Sequence, residues 1–421
     1  MNPSPAEPSP ETAIVENRPV AIVPRINIHA FCETPQTLAT IEAAFADRRM
    51  SRAHGSVESG GILAAVRYFQ SQSTPNLLLV ESTASATALL AELASLADVC
   101  QPQTKVVVIG QHNDVLLYRE LIRQGVSEYV VAPSNPIQLV ETIAGLYRSE
   151  KAQPVGRVIS FIAARGGTGS STVAHNCAWN FARTAAIETV IVDLDLHYGT
   201  AALNFNADSS VGILEALSQP ERVDGLLLDR LLIKLGGKLS LLSGPGGIER
   251  DIHIEAHAVE TILTALRSSV PCVVVDLPHC WSPWVKFTLQ HADQIVITAE
   301  PDLASLRNAR YLVDLFTAGR PNDPPPRLLL NQVGAPKRAE ISSADFAKAV
   351  GISVSASIPN DPQNFGAALN NGKILLELAP KCKPAEALRN FADSLLGSEK
   401  PVSPTPARPS FFKRLSLRGK T

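Results

Sequence analysis

The chain has no long apolar run, no excess of one charge and no close pair of cysteines, and each absence removes a class of function. No stretch approaches the roughly 20 apolar residues of a membrane span, and no charged segment followed by an apolar core opens the sequence. These absences predict a cytoplasmic protein. With 38 basic against 40 acidic side chains, a net charge of -2, no global attraction to nucleic acid is expected and none is assigned as a partner. The six cysteines, at 32, 100, 177, 272, 280 and 382, form no Cys-x-x-Cys pair, which predicts reduced thiols rather than disulfides or zinc. What is present is 421 residues, 45% hydrophobic and 19% charged, enough for two or three domains with proper cores.

Residues 1–24 carry six prolines among small and acidic residues and read as a disordered leader. From 25 to 150, strand-like and helix-like runs alternate. Arg25 to Phe31, helical Pro35 to Arg49, Gly60 to Phe69 and Asn76 to Val80 come first. Helical Ala84 to Val99, strand Lys105 to Ile109, helical Asp114 to Arg123, strand Glu128 to Val131 and helical Ile137 to Arg148 follow. Such alternation predicts an α/β domain with a parallel sheet of five strands. Its size and order resemble a response-regulator receiver domain, a flavodoxin-like, doubly wound fold. A working receiver needs an acidic pair after strand one, an aspartate ending strand three, a hydroxyl after strand four and a lysine after strand five. The sequence offers Ile28-His29-Ala30, Glu81, Gly110-Gln111 and Ala132-Pro133 at those places. Without those groups phosphoryl transfer has no electrostatic support, so the domain reads as a pseudo-receiver for binding or dimerisation.

A proline-containing link over 151–156 leads to a second α/β domain over 157–395. Its organising stretch is Phe161-Ile-Ala-Ala-Arg-Gly-Gly-Thr-Gly-Ser-Ser-Thr172, between an apolar strand and a helix-like run. Gly166, Gly167 and Gly169 allow consecutive backbone N–H groups to turn inward on an anion, with the helix dipole behind them. An ordinary phosphate loop places a lysine before its hydroxyl residue. Ser170 stands there instead, and the cation of this loop is Arg165, ahead of the glycine pair. A glycine-rich turn can also be a mere tight connection, and later segments decide between the two.

Thr189-Val-Ile-Val-Asp-Leu-Asp195 is an apolar strand ending in aspartates at i and i+2, a spacing that sends both carboxylates to one face. Pro271-Cys-Val-Val-Val-Asp-Leu-Pro278 is a continuous apolar strand ending in acid, suited to hold magnesium through water at Asp276. Arg327-Leu-Leu-Leu-Asn-Gln-Val333 and Ser357-Ile-Pro-Asn-Asp361 complete the set.

Taken in order, these segments resemble the ParA/MinD class of P-loop ATPases with a deviant Walker A motif. The resemblance implies ATP and Mg2+ as cofactors, a nucleotide-sandwich homodimer, and Arg165 reaching across to the partner's phosphates. It implies that Asp195 orients the attacking water, that Asp193 supports the magnesium shell with Ser171 and Asp276, and that Gly166, Gly167, Thr168, Gly169, Ser170, Ser171 and Thr172 cradle phosphate. Asn331 and the loop at Pro359 would meet the base. The runs Gly169-Ser-Ser-Thr-Val-Ala-His-Asn176, Asp193-Leu-Asp-Leu-His-Tyr-Gly-Thr-Ala-Ala-Leu-Asn-Phe205, Asp276-Leu-Pro-His-Cys-Trp281 and Asn371-Gly-Lys373 narrow it further. They resemble the CpaE/TadZ group of Flp/Tad pilus-assembly ATPases, which implies pilus and secretion assembly proteins as partners. Alternatives are a nucleotide-independent scaffold and a MinD- or ParA-type positioning ATPase in division or segregation.

The tail, 396–421, turns basic, and as a helix Phe411, Phe412 and Leu415 share one side flanked by Lys413 and Arg414. That pattern is similar to a MinD-like membrane-targeting helix. It predicts weak adsorption to the anionic inner face of the plasma membrane, with a polar address.

Overall fold

Short apolar runs bounded by turn residues become buried strands, and the longer amphipathic runs between them become helices that cover both sheet faces. In the computed structural model, which describes residues 19–132, 134–148, 155–208, 212–244 and 252–397, this produces two separate sheets.

The first contains β1 (Asn27–Cys32), β2 (His54–Ser59), β3 (Leu77–Ser82), β4 (Lys105–Gly110) and β5 (Glu128–Val131), all parallel, in the order β2-β1-β3-β4-β5. This is the doubly wound, flavodoxin-like order. Leu77 and Leu79 of β3 pack on one side with Ile41, Leu139 and Ile143, while Leu78 and Val80 pack on the other with Ile62, Leu89 and Leu93. The expected strand at Gly60 to Phe69 is instead a helix, Ile62–Phe69, with Ile62, Ala65 and Phe69 buried at helical spacing. The actual second strand, β2, is polar and largely exposed at the sheet edge. Val20 and Val23, placed above with the leader, are buried in this core, and the Val23 N–H donates to the Arg49 carbonyl at 2.8 Å. Residues 1–18, 149–154 and 398–421 lie outside the described residues, and with them the proposed lipid contacts Phe411, Phe412, Lys413, Arg414 and Leu415.

Glu81, at the place of a receiver's phosphorylatable aspartate, is only 2% exposed. Its carboxylate accepts the backbone N–H groups of Glu33 (2.7 Å) and Thr34 (2.8 Å) and the hydroxyls of Thr34 and Thr37 (2.6 Å each). It therefore pins the start of the helix Pro35–Phe45, and its oxygens are engaged inward. The acid that follows β1, Glu33, is tied in turn to the N–H and hydroxyl of Thr83. Incubation with acetyl phosphate is accordingly expected to leave the intact mass of the protein unchanged. A stable gain of one phosphoryl group in this domain would contradict the reading.

The second sheet contains β6 (Arg157–Ala163), β7 (Thr189–Asp193), β8 (Ile233–Lys234), β9 (Leu239–Leu242), β10 (Cys272–Asp276), β11 (Gln294–Ala299), β12 (Arg327–Val333) and β13 (Val354–Pro359). Their order is β13-β12-β11-β6-β10-β7-β9-β8, parallel except for the β8–β9 pair. Alternation along each strand feeds two cores. Val158, Ile162, Val273 and Val275 pack with Ile262 and Leu266 of the helix Ala256–Ser269 on one face. Ile159, Phe161 and Val274 pack on the other with Phe181 of the helix Ser170–Arg183 and Phe391 of the helix Lys383–Leu395.

The two sheets are joined through a buried ionic network. From the short turn Arg48–Met50, Arg48 binds Asp323 (2.8 Å), Asp293 (3.3 Å) and the His291 carbonyl (2.8 Å). Arg49 pairs with Asp47 and Asp323, Arg320 with Asp323, and Arg267 with Asp293. Asp293 also accepts the Val158 N–H at 2.9 Å, so the network grips the root of β6.

Candidate functional site

β6 occupies the middle of its sheet, and at its carboxyl end the chain must turn sharply to enter the helix Ser170–Arg183. Gly167 (φ 88°) and Gly169 (φ 85°) take the left-handed conformation that this turn requires. A Cβ on Gly169 would lie 2.5 Å from the Asn331 amide nitrogen, so glycine there is also a matter of close approach.

The loop is held by its carbonyls. Asn331 of β12 donates to the Thr168 carbonyl (2.8 Å), Gln332 to that of Gly167 (3.1 Å) and Asn308 to that of Ala164 (2.8 Å). Thr168, fully buried, donates its hydroxyl to the Thr298 carbonyl (3.1 Å). With the carbonyls engaged this way, the helix's first turn still has N–H groups without helical acceptors. Ser170, 5% exposed, keeps its hydroxyl oxygen without a hydrogen-bond partner, and so does the Asn331 side-chain oxygen. Ser171 and Thr172 are half-buried on the same turn. Pro359 ends β13 beside Val333, half-buried, and the next residue, Asn360, donates its N–H to the Val333 carbonyl.

Arg165 is partly exposed and bridges to Glu300 and Asp302 of its own chain, 3.1 Å from each. Glu300 also binds Arg338 at 2.7 Å. The cation ahead of the glycines is thus parked on two local acids.

Asp193 and Asp276 end neighbouring strands and are direct partners in the β7–β10 register, so their side chains leave the sheet on the same face. Both are buried, at 3% and 1% exposure. Asp193 accepts the N–H groups of Asp195 (3.0 Å) and Ala201 (3.2 Å). Burial first, and then the Asp276 charge, push the Asp193 carboxyl up to about 7. Neither Asp276 oxygen has an aligned hydrogen bond. Asp195, half-buried just beyond β7, accepts the Tyr198 N–H at 3.0 Å and shapes the turn that follows.

The described residues thus bring the loop 166–172, Asp193, Asp276 and Asn331 to the carboxyl end of one parallel sheet, where ligands of such folds bind. Sequence reasoning missed His175. It lies on the helix after the loop, fully buried, with Nε2 3.2 Å from Asp276 and Nδ1 2.8 Å from the Asn204 amide. Its place one turn past Ser171 was the available signal.

No family model matches the chain. The septum site-determining protein MinD of Helicobacter pylori is 21% identical over 266 residues, covering 61% of this chain and 97% of that protein. The crystal structure of a ParA family ATPase from Chlorobium tepidum is 26% identical, covers 56% of this chain and 98% of that one, and has a TM-score of 0.51. The crystal structure of a pilus assembly protein, CpaE, from Caulobacter crescentus is 55% identical. It covers 31% of this chain and 98% of that one, with a TM-score of 0.30.

Proposed function

Since the chain belongs to the CpaE pilus assembly family, with a ParA/MinD-like ATPase fold in its second half, we propose that it is an ATP-dependent switch that organises pilus assembly. The observation that carries this reading is the loop 166–172 with an orphaned Ser170 hydroxyl, set beside two buried strand-end acids.

Gly166, Gly167, Thr168, Gly169, Ser170, Ser171 and Thr172 bind the phosphates through backbone N–H groups and the helix dipole. Ser171, Asp193 and Asp276 would hold Mg2+, whose double charge would offset the repulsion between the two buried carboxylates. Asn331 and the loop at Pro359 would meet the base. A bound Mg2+ supplies charge neutralisation at the phosphate oxygens. Asp195 positions the water. Arg165, now on Glu300 and Asp302, would reach the partner's phosphates in a homodimer, which would present a surface to pilus and secretion assembly proteins. Because Ser170 gives no charge where a lysine is usual, the protein acts by binding, and hydrolysis is slow.

Equilibrium dialysis with radiolabelled ATP and magnesium tests the site. One ATP per chain is expected, with Asp276→Asn weakening retention at least tenfold. No retention by the wild type at millimolar ATP would leave the scaffold reading in its place.

A further inference from the structure

Three buried donors converge where an ATPase of this fold is expected to use oxygen ligands only. His175, Asp193 and Asp276 each offer a ligand atom, and these atoms lie within 4.8 Å of one another. His175 is 0% exposed, and its Nε2 and both Asp276 oxygens lack an aligned hydrogen bond, although Nε2 and Oδ2 stand 3.2 Å apart. Buried polar atoms left without partners are uncommon and call for an occupant. We propose that His175, Asp193 and Asp276 form a binding site for a divalent first-row transition cation, with the imidazole Nε2 as its nitrogen ligand. The proposal rests on the strand-end acids of the nucleotide-switch reading and changes which cation they prefer.

Two carboxylates and a neutral imidazole carry two negative charges, which one divalent ion neutralises. Ligands about 2.0–2.2 Å from one cation at tetrahedral angles stand roughly 3.3–3.6 Å apart, close to the 3.2 Å between His175 Nε2 and Asp276 Oδ2. Magnesium takes oxygen ligands and keeps several waters, whereas imidazole favours cobalt, nickel, copper and zinc. The ring's other nitrogen has the partner that a ligating histidine needs. The Asn204 amide lies 2.8 Å from Nδ1, and turned to present its oxygen it accepts the Nδ1–H, leaving the Nε2 lone pair for the metal. His175 sits on the same helix as Ser171, so the ion would be fastened directly to the element that carries the phosphate loop.

The test uses full-length, chelator-stripped, nucleotide-free protein titrated with cobalt chloride, followed by visible absorption and equilibrium dialysis. One Co2+ per chain is expected, with a visible band of nitrogen and oxygen ligation that survives a large excess of magnesium. His175→Asn should weaken Co2+ binding at least about tenfold. If that variant does not fold, Asp193→Asn, which keeps the shape, must show the same loss. Absence of stoichiometric Co2+ in the wild type, or displacement by magnesium, overturns the proposal, as does equal affinity in folded His175→Asn. Mg·ATP binding by the same wild-type sample separates the two readings. Binding of Mg·ATP without Co2+ sinks only this inference, and Co2+ without Mg·ATP sinks only the nucleotide switch.

Discussion

Asp323→Ala is expected to lower the free energy of unfolding by about 3–5 kcal/mol, the usual consequence of removing one partner from a buried ion pair. Its side chain is 2% exposed and receives three guanidinium groups, from Arg48, Arg49 and Arg320, so alanine strands several buried cations at once. Arg48 and Arg49 come from the part of the chain that builds the first sheet, and Asp323 follows a helix of the second. The loss should therefore appear as separation of one urea transition into two, monitored by circular dichroism. A single, unshifted transition would contradict the account. The pH dependence has a fixed sign. Burial pushes Asp323 and Asp293 up, but Arg48 and its fellow guanidinium groups, with the Val158 N–H on Asp293, hold both carboxyls below the ordinary carboxylate range. A carboxylate whose folded pKa is depressed contributes stability that is complete above its unfolded value, about 3.9, and is lost as pH falls through the folded value. Acid unfolding of the wild type should thus steepen below about pH 4, and Asp323→Ala should blunt that dependence.

Ser170→Lys is expected to raise ATP hydrolysis on the order of a hundredfold, the size of effect of one donor to developing charge, about 3 kcal/mol. The residue opens the helix after the glycine loop, and its hydroxyl oxygen is buried without a partner. A lysine rooted there puts an ammonium group where an ordinary loop has one. Steady-state phosphate release reads the result. An unchanged rate, with ATP affinity retained, would show that slow turnover has a cause other than the missing charge.

How much of this was legible in the sequence depends on the range of each interaction. The glycine loop, the strand-end acids Asp193 and Asp276, and the order of buried strands are written locally, as apolar runs punctuated by glycine or acid. β2 was missed because an exposed polar edge strand carries no apolar run, while the amphipathic helix after it does. Val20 and Val23 were hidden among prolines, although they complete the first core. Arg48 looked like one more surface cation, since its partners Asp293 and Asp323 lie 245 and 275 residues away. His175 carried only its helical spacing from Ser171, and the two acids it meets come from strands further along the chain. The parking of Arg165 on Glu300 and Asp302 also needs the fold, because β11 brings that pair beside β6.

In the proposed switch, Arg165 acts across a nucleotide-bound homodimer. The most direct measurement is the mass in solution, by light scattering, of wild type and Arg165→Ala with and without Mg·ATP. Expected are a monomer without nucleotide, a dimer with Mg·ATP, and a monomer in Arg165→Ala that still binds ATP. ATP binding without any change of mass, or an equally stable dimer in Arg165→Ala, would contradict that switch.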